Sequence, residues 1–492
     1  MIVERPPPSL DYTRFNVYTP LVKSLDLYGE YKHSCENLDW GAFDQRKKAL
    51  LPNLFSLIIR DICGSRGYGD QLMSTLLLVS PSLREIRSIA SEKVIPHFST
   101  VSPAVASLLL KKLTSRCPDL QVLSIFPAKP TAGSGSHTER MLEKFIEISE
   151  PLFSHYLSKA RQVRELTSNG QIFQRDALPT VASLTLLSRL EIFSRFIEID
   201  PDDILLPENA FPSLQHLKLH LEFNEGTDLW RIDAFRRLTP NDWGFGPLAT
   251  IAQNSTNLQY LHINFCVCED CGDGPCDIGY PDLFEELSVI PLKTGILESV
   301  WLGPYDPDLY NRFMIAFPEV IELHIPAQNI TLDELVHFAK LPKLQHLVLD
   351  LYLTFPERNV PPPTPPVGLA LHTLETKESF TPTGDLLGPA KLPRAPLLLW
   401  PNLQRVVCPD GDKTPIDIRF HNTIMQSLNS FLTITREATK LKNNIINRYV
   451  PIELMLFGGL PVVDHPATDS KEWALLSMSF TLYVLNALCF PP

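Results

Sequence analysis

The sequence predicts an α/β solenoid, a stack of strand–loop–helix units with one parallel sheet on its concave side and helices on its convex side. Three observations predict it. One short aliphatic phrase recurs along most of the 492 residues, the stretches between copies change to helical periodicity, and the long all-apolar strands of a compact α/β core are missing.

The phrase is an aliphatic residue, two variable ones, a second aliphatic, one variable residue and a third aliphatic. A proline and a small or polar residue usually precede it. Copies are formed by Leu54, Leu57 and Ile59; by Leu120, Leu123 and Ile125; by Leu214, Leu217 and Leu219; and by Leu258, Leu261 and Ile263. Further copies are Leu297, Val300 and Leu302; Val320, Leu323 and Ile325; Leu344, Leu347 and Leu349; and, less cleanly, Leu403, Val406 and Cys408, with weaker ones beginning at Val22, Leu83, Val181 and Leu371. Such a phrase is a strand whose alternate residues point inward. One strand cannot bury its apolar row alone, whereas stacked neighbours can. The intervals from Leu297 to Val320 to Leu344 are 23 and 24 residues, within the range of about 20–29 of leucine-rich repeats. Most others run about 29 to 44 residues, so the array is irregular and carries insertions.

Between strands the pattern turns helical. Thr331 to Lys340 reads as a helix with Thr331 as its cap and Glu334 completing a capping box. Asp306 to Phe317 and Thr138 to Leu157 read the same way. This places a lead-in over 1–20, the solenoid over 21–354, a proline-rich insert or hinge over 355–400, the last repeat with a capping helix over 401–445, and a tail over 446–492. The insert contains the run Val360 to Pro366, and the capping helix, Ile416 to Leu441, is expected to close the open edge of the sheet. In the tail, Trp473 to Phe490 is uncharged over 18 residues. It reads as a buried terminal helix, with a tail anchor in a membrane as the alternative.

Composition narrows the function. The net charge is −12, from 44 basic and 56 acidic residues, with no basic run of five or more. The chain as a whole therefore repels a phosphate backbone, and nucleic acid is not an expected partner. Nine cysteines, an odd number, and an N-terminus without an apolar leader point to a reducing cytoplasmic or nuclear setting. No phosphate loop, dinucleotide fingerprint, nucleophile elbow or zinc-protease helix occurs, so the expectation is a binding protein without a catalytic site or cofactor.

The repeated phrase with long irregular spacers resembles the leucine-rich-repeat region of F-box proteins, especially the large fungal-type families. The opening Tyr12, Arg14, Phe15 and Tyr18, followed by Leu21, Leu25 and Leu27, is similar to the segment that follows the F-box there. The resemblance covers about residues 12 to 435 and implies substrate recognition for a cullin-type ubiquitin ligase, with the ligase adaptor as a further partner. The residues before Tyr12 are too few for an F-box helix bundle, so on this reading the F-box is absent from the chain. A freestanding repeat scaffold is the alternative role, and a tail-anchored adaptor the third.

Strand alternation places the residue between the last two aliphatics on the concave face: Lys218, His262, Trp301, His324 and Val348. Flanking positions add His216, Tyr260, Glu322, His346 and Asp350. Aromatic, imidazole and charged groups in one stripe are what protein interfaces favour; the plainer reading is that exposed strand positions tolerate any residue. Cys266, Cys268, Cys271 and Cys276 lie within eleven residues. Cys266 falls where the repeat packs an Asn or Cys inward, which leaves Cys268, Cys271 and Cys276 as weak zinc candidates against a reduced surface loop.

Overall fold

The computed structural model describes residues 17–28, 49–61, 78–90, 103–127, 153–173, 177–194, 206–222 except 208, 255–266 except 256, 276–277, 288, 290–298, 300–301, 306–331, 334–352, 370–376, 400, 402–407 and helical positions between 429 and 441. The strands are β1 Ser24–Tyr28, β2 Ser56–Asp61, β3 Glu85–Ala90, β4 Val122–Ser124, β5 Glu165–Asn169, β6 Arg189–Ser194, β7 His216–Glu222, β8 Tyr260–Cys266, β9 Cys276–Asp277, β10 Thr294–Glu298, β11 Val300–Trp301, β12 Glu322–Thr331, β13 His346–Tyr352, β14 Thr373–Thr376 and β15 Arg405–Val407. Thirteen of them form one parallel sheet in which spatial order is chain order, while β9 and β11 pair separately. Parallel neighbours joined one repeat at a time are what a stack of identical units requires. The chain is a leucine-rich-repeat solenoid.

The register shows why the phrase has its form. Its middle aliphatic makes an unbroken lateral ladder of Leu25, Leu57, Ile86, Leu123, Leu166, Leu190, Leu217, Leu261, Gly295, Leu323, Leu347, Leu374 and Val406. From Leu57 to Val406 each side chain of this ladder, Gly295 having none, is buried in one continuous core. Full burial of each leucine is worth roughly 1.5–3 kcal/mol, and no single repeat can supply that environment. The polar residue just before the phrase, which follows a proline in three of the four cases here, has a role too. Asn53 donates to the Pro20 carbonyl at 2.7 Å, Ser82 to Pro52 at 2.7 Å, Ser213 to Thr185 at 2.7 Å and Asn257 to Pro212 at 2.9 Å. Each stitches the turn of one repeat to the turn before it.

Helices cover the inward side. In α1, Pro103–Arg116, Ala106, Leu109, Leu110 and Leu113 repeat at helical spacing and are buried. The shorter α2 Phe153–Leu157 and α3 Ala177–Ala182 follow. In α4, Pro307–Ala316, Pro307 stands in the first turn, the Asp306 carboxylate accepts from the Asp308 N–H, and Tyr310, Phe313 and Met314 are buried. In α5, Leu335–Phe338, the expected capping box forms by half: the Glu334 carboxylate accepts from the Thr331 N–H at 2.6 Å, but Thr331 ends β12 and the helix is shorter than expected. Thr138 to Leu157 is described only in its last turn, as α2. Cys117, next to α1, donates its thiol to the Ser80 carbonyl at 3.0 Å, and burial pushes its pKa up to about 12.

Three repeats depart from the expected positions. The copy expected at Val181 lies inside α3, and the strand there is formed by Leu187, Leu190 and Ile192 of β6. A further repeat, Val163, Leu166 and Ser168 of β5, was not expected; its third place is polar, as in the weaker copies at Leu83 and Leu371, and the Ser168 hydroxyl is fully buried and donates to the Ile125 carbonyl at 2.7 Å. The copy expected at Leu297 is shifted by five residues, since β10 carries Leu292, Gly295 and Leu297 in the three places. Gly295 hides the phrase from a search for aliphatics. A Cβ there would meet Leu292 Cδ2 at 3.4 Å and Leu323 Cδ1 at 3.5 Å, so its neighbours already fill the ladder position.

At the other end, the side-chain amide of Asn429 imitates a further strand. Its Oδ1 accepts from the Val406 N–H at 3.0 Å and its Nδ2 donates to the Val406 carbonyl at 2.9 Å. Asn429 and Leu432 are helical, and Leu432 is buried in the core, so the middle of the expected capping helix, Ile416 to Leu441, meets the edge of β15; 408–428 lie outside the described residues. The compact unit Met1–Leu432 ends there, and Thr433–Pro492 forms a second unit whose described residues are helical, with Lys440 and Glu437 paired at 2.9 Å. Of the insert expected over 355–400, residues 370–376 instead carry β14 with Leu371 and Leu374 in the core, and Trp400 is buried there too; 355–369, 377–399 and the apolar segment Trp473 to Phe490 lie outside the described residues. Among the described residues no helix is long and apolar enough to cross a membrane.

Candidate functional site

With the ladder residues turned inward, those one place before and after them line the open, concave face of the sheet. Charges on its first strands are matched laterally. Asp26 and Arg60 pair at 2.9 Å. Arg87 lies 3.6 Å from Glu85 and reaches Glu165, two strands away, at 3.0 Å. It passes over β4, where the outward positions are the small Val122 and Ser124.

The middle of the face is organised around Glu191 on β6. Lys218 Nζ lies 3.1 Å and His220 Nε2 3.3 Å from the same carboxylate oxygen. Burial alone would push the Glu191 pKa up; the hydrogen bond from His220 and the Lys218 ammonium outweigh it and hold the carboxyl below its ordinary range. His220 stacks flat on Phe193, with centroids 4.2 Å apart and planes 3° from parallel, and meets the His262 ring edge-on at 5.5 Å. His216 and Tyr260 lie side by side at 5.3 Å. Burial lowers the pKa of both His216 and His220, the latter against the pull of Glu191, and raises that of Tyr260.

A second cluster occupies β12–β14. His324 Nε2 lies 2.9 Å from Glu322 Oε1, and His346 Nδ1 lies 3.4 Å from the same oxygen. The other nitrogen of His346 faces Glu375 Oε2 at 3.5 Å, beyond hydrogen-bond geometry, and is a buried atom without a hydrogen-bond partner. The two imidazoles meet edge-on with centroids 5.0 Å apart. Burial lowers the pKa of His324 despite the neighbouring Glu322. Val348 lies between His324 and Glu375 in the register and is buried beneath this cluster.

Of the residues expected on the face, His216, Lys218, Tyr260, His262, Glu322, His324, His346, Val348 and Asp350 hold outward positions of the main sheet. His262 and Val348 are nonetheless buried. Trp301 is a correction: it belongs to β11, opposite Asp277 of β9, and Ile296 holds the place assigned to it, because Gly295 displaced the repeat. Cys268 and Cys271 lie outside the described residues, and Cys276 is described only as part of β9. Sequence reasoning missed Glu191, Phe193, His220 and Glu375. Glu191 stands between Leu190 and Ile192, and Glu375 follows Leu374 in a recognised copy, so the phrase itself could have found both. Phe193 and His220 lie beyond its last aliphatic, where the strands continue.

No protein-family model matches the sequence, and no curated protein matches it. Among solved structures, the chain is similar to an internalin (inlF) from Listeria monocytogenes, at 13% identity and a TM-score of 0.31, covering 73% of this chain and 88% of the other. It is also similar to the protein of a TLR13–ssRNA13 complex, at 16% identity and a TM-score of 0.31, covering 67% of this chain and 44% of the other.

Proposed function

We propose that the chain is a protein-binding solenoid whose partner lies along the outward row from His216 and Lys218 through Tyr260 to Glu322 and His346. The observation that carries this reading is the row itself. Side chains from successive strands stand side by side in lateral register, mixing imidazole, phenol, carboxylate and ammonium groups on a rigid sheet. A net charge of −12 favours a protein over a nucleic acid in that place. The finer role we propose is recognition of substrates for a cullin-type ubiquitin ligase in the cytoplasm or nucleus. It is supported by the resemblance of the repeat phrase to F-box proteins and by the odd number of cysteines.

Affinity purification of the tagged full-length chain from its native cells, beside a Lys218→Glu/Tyr260→Ala variant, tests both levels. Partners that the variant loses while its circular dichroism is unchanged support the face as the binding site; an identical set of partners overturns it. Recovery of the cullin adaptor supports the ligase role. Its reproducible absence while other partners are retained favours a freestanding scaffold.

A further inference from the structure

We propose that Glu322, His324 and His346 bind a divalent transition-metal ion of the zinc class on the open face of the sheet. Imidazole and carboxylate are the nitrogen and oxygen ligands that zinc prefers. One ligand atom from each of the three residues falls within 4.8 Å of the other two. Glu322 Oε1 is already 2.9 Å from His324 Nε2 and 3.4 Å from His346 Nδ1. Ligands about 2.0–2.2 Å from a tetrahedral ion stand about 3.3–3.6 Å apart, so the two distances to Glu322 need little change, and rotation of the imidazoles brings their nitrogens, now within 4.8 Å, to the same spacing. The supporting backbone is rigid: Glu322 and His346 are register partners on β12 and β13, and His324 is two residues along.

Two further observations point the same way. With Nδ1 of His346 on the metal, the ring proton sits on Nε2 and faces Glu375, the carboxylate 3.5 Å away, so a small turn of either side chain gives this buried atom the hydrogen bond it otherwise lacks. A carboxylate behind the distal nitrogen of a metal-bound histidine fixes its tautomer and orientation, which makes Glu375 a positioning residue. Charge favours it as well: among the described residues neither Glu322 nor Glu375 has a lysine or arginine within ion-pair distance, unlike Asp26, Glu165 and Glu191. Three protein ligands leave a coordination position toward solvent, the arrangement of a site that takes a further ligand.

The test is a Co²⁺ titration of the full chain, without a polyhistidine tag and stripped with chelator, followed by visible absorption and by Zn²⁺ competition. One saturable equivalent is expected, with d–d bands and no thiolate charge-transfer band. Glu322→Gln, His324→Ala and His346→Ala should each weaken binding at least tenfold, and Glu375→Gln about tenfold. A Cys268→Ser/Cys271→Ser/Cys276→Ser variant should bind unchanged. All of these side chains but the cysteines lie on the solvent side of a sheet, and circular dichroism confirms that each variant is folded. Absence of saturable binding, binding that survives His324→Ala/His346→Ala, or a thiolate band that disappears in the cysteine variant overturns the proposal.

Discussion

Between β1 and β7 the carboxylates of the open face meet permanent cations: Asp26 meets Arg60, Glu165 meets Arg87 and Arg189, and Glu191 meets Lys218. Between β12 and β14, Glu322 and Glu375 meet imidazoles instead. Guanidinium and ammonium groups stay charged at any pH the cell reaches, so the first stretch is neutralised once and for all by its own residues. An imidazole is charged only on condition. The two stretches share one backbone ladder, yet one is electrostatically closed and the other responds to what surrounds it.

The largest effect should show that the ladder is common to both. Leu217→Ala and Leu347→Ala each remove a fully buried side chain and should each cost about 2–5 kcal/mol in urea unfolding. A large loss at one and almost none at the other would mean that the two stretches do not share a core. Next comes Glu191→Gln, which strands Lys218 and weakens the hydrogen bond of His220; a loss of about 1.5–3 kcal/mol is expected. Glu322→Gln in metal-free buffer should cost less than about 1 kcal/mol, since no permanent cation depends on it. Equal losses would erase the contrast.

Acid sharpens the contrast further. His216, His220 and His324 are held below the ordinary 6.5, chiefly by burial. Above that value they contribute nothing to the pH dependence. As pH falls through it, the unfolded chain takes up protons that the folded chain refuses, and stability declines until the lowered pKa values are reached. Glu191, held below 4.5, adds stability above that pH and loses it only in a second, more acidic window. Melting temperatures between pH 7.5 and 5 should fall, and His216→Gln/His220→Gln/His324→Gln should flatten the decline; a slope that stays the same would remove these histidines from the account. The smallest effect belongs to Asp26→Asn. Its pair is partly exposed and should be worth less than about 1 kcal/mol, diminishing with salt.

The fold was legible at most places where three aliphatic side chains mark a strand, as at Leu54 or Leu344, because burial on one side of a strand leaves a clear period. It was misread at Leu187, Leu190 and Ile192, whose copy was expected at Val181, and at Leu297, Val300 and Leu302, which fit the phrase by chance beside the true copy. It was illegible where the core is satisfied otherwise: by a hydrogen-bonded hydroxyl at Ser168, or by neighbours closing over Gly295. The face followed from alternation within each strand, which gave His216, Lys218, Tyr260 and His324 their positions. What alternation cannot give is the lateral register. Register comes instead from aligning the phrase, whose middle aliphatics stack although the interval varies from 24 residues between Leu166 and Leu190 to 44 between Leu217 and Leu261. Glu322 and His346 precede Leu323 and Leu347 of neighbouring copies, whereas Glu191 beside Lys218 and His220 was hidden because its copy was expected at Val181.

A stack of repeats carries no internal instruction to stop, since every added strand offers the next one the same row of donors and acceptors. At β15 that row is interrupted by one amide, Asn429, which takes both the N–H and the carbonyl of Val406. Without that side chain the N–H and carbonyl of Val406 stand as an open rung on which a further strand can pair.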